Sequence, residues 1–202
     1  MLTGAVRATT TRMVTVDLER ISPAATRANH AVATSITREL IAAKAADARA
    51  STRQRDIHIF HRDAADTLQR MLNALQPGTY VQPHRHNTPP KAESIVLLQG
   101  AIGFVPFLDD GSIDRDNWRL IDESCGCIGV DYRAGIWHTF FALAADTVLF
   151  EVKPGPYDAD TDKEFAAWAP AEGDTGALAY LADVEDTFRK HFGLEARTWA
   201  KA

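Results

Sequence analysis

The chain has 202 residues, 22 Lys and Arg against 27 Asp and Glu, and a formal charge of −5, with 46% hydrophobic and 24% charged residues. That length supports one ordinary domain with extensions and a sizeable core, and the composition excludes a disordered or fibrous chain. The acidic balance, with no zinc-finger or helix-turn-helix spacing and no basic tract, speaks against nucleic acid, and no run approaches the ~20 apolar residues of a membrane helix.

Residues 1–12 are rich in Thr and small side chains and are expected to lie loosely on the surface. No compact apolar stretch of signal-peptide type follows Met1, so a cytoplasmic location is expected. Residues 13–18 alternate as a short edge strand. Ser22-Pro23 reads as an N-cap with proline in the first turn. The Ala-dominated segment up to Arg49 then predicts one or two helices, the better one over 35–49, with Ile36, Leu40, Ala43 and Asp47 at helical spacing.

The texture changes at Ser51. Residues 56–61 alternate, and 69–75 fit a strand or a short helical segment. Gln76-Pro77-Gly78 is a turn. Strands are expected over 79–86, 94–98, 101–108, 118–121, 137–143 and 147–152, with Asp110-Gly111 closing a hairpin. After Glu151 comes an acidic, aromatic coil through Gly173, then a helix over 176–191 that ends before Gly193. Many short strands without alternating long helices predict an all-β barrel or sandwich with helical additions at both ends. The expected layout is an N-terminal extension over 1–50, a barrel and its cover segment over 51–173, and a helical extension over 174–202. The two cysteines, Cys125 and Cys127, read as incidental thiols.

Of seven histidines, His30, His58 and His191 read as ordinary residues. His84 and His86 differ. Two apart in an extended strand, they share a face and can converge on one point. Glu93 follows across a Pro-Pro turn, and His138 begins a later strand. Three imidazoles and a carboxylate suit one divalent transition metal per chain: Zn, Fe, Mn or Ni. Strand alternation sets Tyr80 and Gln82 on the face of His84 and His86, Phe140 on that of His138, and Glu151 beside Lys153. Arg53, Arg55, His61, Gln69 and Arg70 form a polar cluster just ahead of the barrel, and Tyr157 and Trp168 could cover its end.

The order Gly78, His84-x-His86, Glu93, Gly100 resembles the first conserved motif of the cupin superfamily. Arg133-Ala134-Gly135-Ile136-Trp137-His138 resembles the second, with Arg133 where proline is usual. This resemblance implies a double-stranded β-helix, or jelly-roll, barrel. From about Ile36 to Gly173 the chain is also similar to the WbuC family of cupin-fold metalloproteins. That similarity is carried by Arg53-Gln54-Arg55, His61, Gln69-Arg70-Met71-Leu72, Gly78 to His86, Lys91-Ala92-Glu93, Gly135 to Thr139, Phe150 to Tyr157, Asp162 to Ala166 and Trp168 to Gly173. It implies Glu93 as a ligand despite the long gap after His86, and it favours the Arg53–Arg70 cluster lying over the barrel mouth.

The expected function is a small metal-dependent enzyme acting on a carbohydrate-derived or other polar, anionic metabolite. Glu151 is the expected proton carrier and Tyr80 a second; Arg55 or Arg70 would clamp an anion. Arg55, His61, Gln69, Arg70, Gln82, Phe140, Lys153 and Tyr157 would meet the substrate. The alternatives are a non-catalytic ligand-binding or accessory cupin linked to surface polysaccharide metabolism, a metal-dependent dioxygenase, and a purely structural metal. A homodimer paired through the N-terminal edge strand is expected, without nucleic-acid or membrane partners.

Overall fold

The computed structural model describes residues 18–29 and 32–200. In chain order the strands are β1 (Leu18–Ser22), β2 (Ala25–Ala28), β3 (Arg55–Ile59), β4 (Leu68–Leu75), β5 (His84–Arg85), β6 (Glu93–Gln99) and β7 (Ala101–Phe107). They continue with β8 (Arg119–Asp122), β9 (Gly129–Tyr132), β10 (Trp137–Ala142), β11 (Thr147–Pro154) and β12 (Glu164–Phe165). Helix α1 (Arg38–Ala50) lies between β2 and β3, and α2 (Ala177–Phe192) follows β12.

The strands form a seven-stranded sheet, β1-β2-β3-β4-β11-β6-β9, and a five-stranded sheet, β12-β5-β10-β7-β8. Pairing is antiparallel apart from the parallel β2–β3 contact. The predicted all-β barrel with flanking helices is the architecture that forms. Its interior is the apolar cluster of Leu75, Ile95, Leu149, Ile102, Phe104, Ile121 and Phe140, drawn from both sheets.

Each sheet turns its other face to a helix. Leu72, Ala74 and Val148 pack against Leu40, Ala45 and Ala48 of α1, whose first turn is capped by the Thr37 hydroxyl accepting from the Leu40 amide. The buried side of α1 also carries Lys44, whose ammonium is fully enclosed and pairs with the buried Asp56 of β3. Lys44 Nζ also donates to Asp47 at 2.8 Å and to the Thr26 hydroxyl at 3.0 Å. On the five-stranded sheet, Val105, Phe107, Trp137 and Phe141 pack against Leu181, Val184 and Phe188 of α2. That helix ends at Gly193, in the left-handed region, whose amide donates to the Arg189 carbonyl.

Several sequence expectations change. Ser22-Pro23 caps no helix: Ser22 ends β1, and Pro23-Ala24 turn the chain into β2, with Leu18 paired to Ala28. A Ser-Pro pair serves a turn as readily as a helix start. Residues 13–17 of the expected edge strand lie outside the described residues. The ambiguous 69–75 segment is strand, whereas 79–86 is regular only at His84–Arg85. The sequence predicts none of β2, β9 and β12, and β2 falls in the Ala-dominated segment expected to be helical.

Gly100, between β6 and β7, has φ +86°, and a Cβ there would fall 2.3 Å from Thr147 Oγ1 and 2.8 Å from its Cα. Gly100→Ala is therefore expected to cost at least about 2 kcal/mol. Urea denaturation measures it, and a loss within experimental error would refute the clash. Among the described residues no helix is long and apolar enough to cross a membrane.

Candidate metal centre

The register of β10 on β5 sets His138 directly opposite His84, and directly paired residues share a face. His86 follows as the chain leaves β5. The ligating atoms of His84, His86 and His138 all lie within 4.8 Å of one another, and all three residues are buried. Each imidazole is held from behind by the main chain. Nδ1–H of His84 donates to the Gln82 carbonyl at 2.9 Å, that of His138 to the Ile136 carbonyl at 2.9 Å, and that of His86 to the Asp162 carbonyl. These bonds to main-chain carbonyls hold each ring with Nδ1–H turned outward and Nε2 turned inward, as a metal-binding histidine requires.

Glu93, the first residue of β6, comes from the other sheet. Its Oε2 stands 3.0 Å from His86 Nε2 and 4.0 Å from His138 Nε2. With neutral imidazoles, buried His86 Nε2 and Glu93 Oε2 lack hydrogen-bond partners. Two orphaned lone pairs facing each other are costly unless a cation lies between them, so this donor set fits a divalent metal ion. Burial holds His84 well below the ordinary histidine range and brings His138 down to about 4 against the pull of Glu93. Neutral imidazole is the ligating form.

Tyr132, at the end of β9, pairs in register with Glu93, and its hydroxyl lies 3.0 Å from His138 Nε2. Burial, then the Glu93 charge, push its phenol well above the usual range. Glu151 of β11 is buried beside these groups and accepts from Asn73 Nδ2 at 3.3 Å. Burial, then repulsion from Glu93, raise its carboxyl to about 8 while Lys153 opposes the shift. Lys153 Nζ reaches Asp162 Oδ2 at 2.7 Å, and Lys91 Nζ reaches Asp162 Oδ1 at 3.0 Å.

The structure thus brings His84, His86, His138, Glu93, Glu151 and Lys153 together. Gln69 stands opposite Lys153 on the inner face, with its amide donating to the Asp66 carbonyl at 2.9 Å. Phe140 lies in the barrel core below His138, beside Phe104 and Tyr132. Tyr80 is not brought to the histidines: its hydroxyl donates to the Pro170 carbonyl at 2.7 Å, and its ring joins the cluster under α2. Strand alternation does not hold for it, because 79–83 is not regular strand. Arg55 donates to the Tyr80 carbonyl at 2.8 Å and to Glu172 at 2.5 Å, and Arg53 also engages Glu172. His61 meets the main chain of Arg70, whose guanidinium reaches Asp66 at 3.4 Å. Gln82 donates to the Ala166 carbonyl at 3.4 Å. Tyr157 is exposed, while Trp168 packs on Phe107.

Tyr132 was not read from the sequence as part of the site. Tyr132 sits in no motif, and only the β6–β9 register brings it to Glu93. Cys125 and Cys127 are free; they line a separate surface cavity of about 380 Å³ with Trp118 and His191.

An all-β barrel of two sheets, with an HxH strand paired to a distant third histidine and a carboxylate from the facing sheet, decides the architecture. The fold is a jelly-roll-like all-β barrel of two sheets with flanking helices. A family model described as a domain of unknown function (DUF6016) matches residues 36–118. No curated protein matches the sequence. Among solved structures, the chain is similar to the capsular polysaccharide assembling protein CapF from Staphylococcus aureus, at 21% identity over 54% of this chain and 31% of that one, with TM-score 0.42. It is also similar to KdgF from Halomonas sp., at 16% identity over 52% of this chain and 82% of that one, TM-score 0.39. Oxalate decarboxylase from Bacillus subtilis is similar at 15% identity over 65% of this chain and 29% of that one, TM-score 0.39. The chain thus spans about a third of the length of the CapF structure it matches.

Proposed function

We propose that this cupin holds one divalent transition metal ion through His84, His86, His138 and Glu93 and acts as a small metal-dependent enzyme on a polar or anionic metabolite. The observation that carries this reading is the convergence of three buried imidazoles, each aimed by a backbone carbonyl, on a buried carboxylate oxygen. The WbuC resemblance over 36–173 supports the same reading. When bound, a divalent ion supplies Lewis acidity, polarising an oxygen of the substrate or of water.

The protein's own groups would do the rest. Glu151, with its carboxyl raised to about 8, can hold or release a proton near neutral pH. Asn73 orients that carboxyl. Lys153, fixed by Asp162, holds a positive charge beside it. We also propose a homodimer through β1, whose residues 19–22 are exposed at the outer edge of the seven-stranded sheet. Light scattering at twice the chain mass is the expected result, and a monomer in dilute solution would remove it.

Elemental analysis of tag-free protein tests the metal. About one equivalent per chain is expected, and it should be lost in His84→Ala/His138→Ala. Absence of metal even after reconstitution would overturn the reading. Glu151→Gln should keep the metal while lowering turnover of an identified substrate by about 10²–10⁴-fold. Unchanged turnover would end the role assigned to Glu151.

A further inference from the structure

Strand pairing extends the inner face of the seven-stranded sheet outward from the metal centre. Ile95 stands opposite Glu151, Glu151 opposite Met71, and Met71 opposite Ile59; in the next row Leu149, Asn73 and Ile57 are aligned. Paired residues share a face, so Met71 lies one strand spacing from Glu151, about 4.8 Å, and Ile59 two. Ile57, Ile59 and Met71 are only half-buried, and they join none of the buried apolar clusters. Their neighbours on the opposite face, Asp56, His58 and Leu72, are sealed on the α1 side. Three half-buried apolar side chains therefore continue the inner face outward from a buried carboxyl.

The other wall is β12. Phe165 stands opposite His84, their rings 6.1 Å apart, and is 54% exposed. Two residues earlier stands Lys163, exposed as a whole, while its ammonium is crowded among Lys153, Glu151 and Glu93: burial, then the Lys153 charge, lower its pKa against the pull of the two glutamates. The cations around it are committed: Lys91 and Lys153 to Asp162, Arg55 to Glu172, Arg85 to Glu164. Lys163 has no carboxylate within ion-pair distance among the described residues. Lys163 thus offers an anionic group on a ligand a donor that no carboxylate already engages. A polyhydroxylated ligand needs donors and acceptors along its length, and the Ile57–Ile59–Met71 shelf offers none.

We infer that the mouth takes a small monocarboxylate with an apolar body, its charge held by Lys163 and its body lying between the Ile57–Ile59–Met71 shelf and Phe165. This rests on the metal-site reading above for the position of the reacting end, and it narrows the substrate class. The test is calorimetric titration of the zinc-reconstituted full chain with phenylacetate and with glucuronate, which carry the same single charge. Phenylacetate is expected to bind at least about tenfold more tightly, as burial of one ring face requires. Ile59→Thr/Met71→Gln should bring the two affinities close together without changing that for glucuronate. Lys163→Gln, at an exposed position, should weaken phenylacetate about tenfold, and it keeps the inference testable if the double variant does not fold. Equal affinities, tighter glucuronate or no saturable binding of either probe would overturn it. Elemental analysis of the same samples separates the two readings. Metal-loaded protein without the preference sinks the shelf alone; metal-free protein that keeps the preference sinks the metal site alone.

Discussion

Chelator-treated protein supplied with a divalent ion at about 1,000 times its dissociation constant should gain about 4 kcal/mol in unfolding free energy. At about 2–4 °C per kcal/mol for a chain of this size, the unfolding midpoint rises by roughly 10 °C. The gain arises because the folded chain presents a formed site and the unfolded chain does not. His84 and His138 come from the five-stranded sheet and Glu93 from the seven-stranded one, so the ion would tie the two layers. His86→Ala removes the imidazole nearest Glu93, and its midpoint should move little with added metal. Thermal unfolding of both proteins with and without zinc checks this. A wild-type midpoint indifferent to zinc and to the other candidate metals would count decisively against the site.

A comparable loss is expected far from the metal. Lys44 is fully buried, Asp56 is 1% exposed, and the two are paired under α1. Lys44→Met should destabilise the fold by about 3 kcal/mol or more, because it leaves a buried carboxylate with one remaining charged partner. That partner is the partly exposed Arg20, at 2.9 Å. The double variant Lys44→Met/Asp56→Leu should lose less than the sum of the single variants, since no charge is then stranded. Urea denaturation of the four proteins supplies the cycle. Full additivity would show that the pair does not act as a unit.

The metal-facing residues were legible because their signal is local. His84 and His86 are two apart, and His138 follows a glycine turn, so a short pattern suffices. Most of the barrel strands were legible for the same reason, from turns such as Asp110-Gly111, whereas β2, β9 and β12 were not. What the sequence hid depends on register and on distant chain. Tyr132 reaches Glu93 only through the β6–β9 pairing. Lys163 sits beside a two-residue strand inside what reads as coil, and such a strand has no periodicity to detect. Tyr80 was assigned by alternation across a segment that is not regular strand, so the rule had no backbone to act on. Arg53 and Arg55 found Glu172, more than a hundred residues away, a choice no local pattern encodes.

The three carbonyls that aim the imidazoles belong to Gln82, Ile136 and Asp162, and each offers its main-chain oxygen whatever side chain it carries. The orientation of the ligands is thereby insulated from point substitution at the positions that support them. On the binding mode proposed above, Ile57, Ile59, Met71, Lys163 and Phe165 would be free to change with the ligand while the histidines keep their aim. A scaffold of this kind separates the evolution of selectivity from the retention of its inorganic centre, and the same separation makes the mouth a practical place for directed redesign.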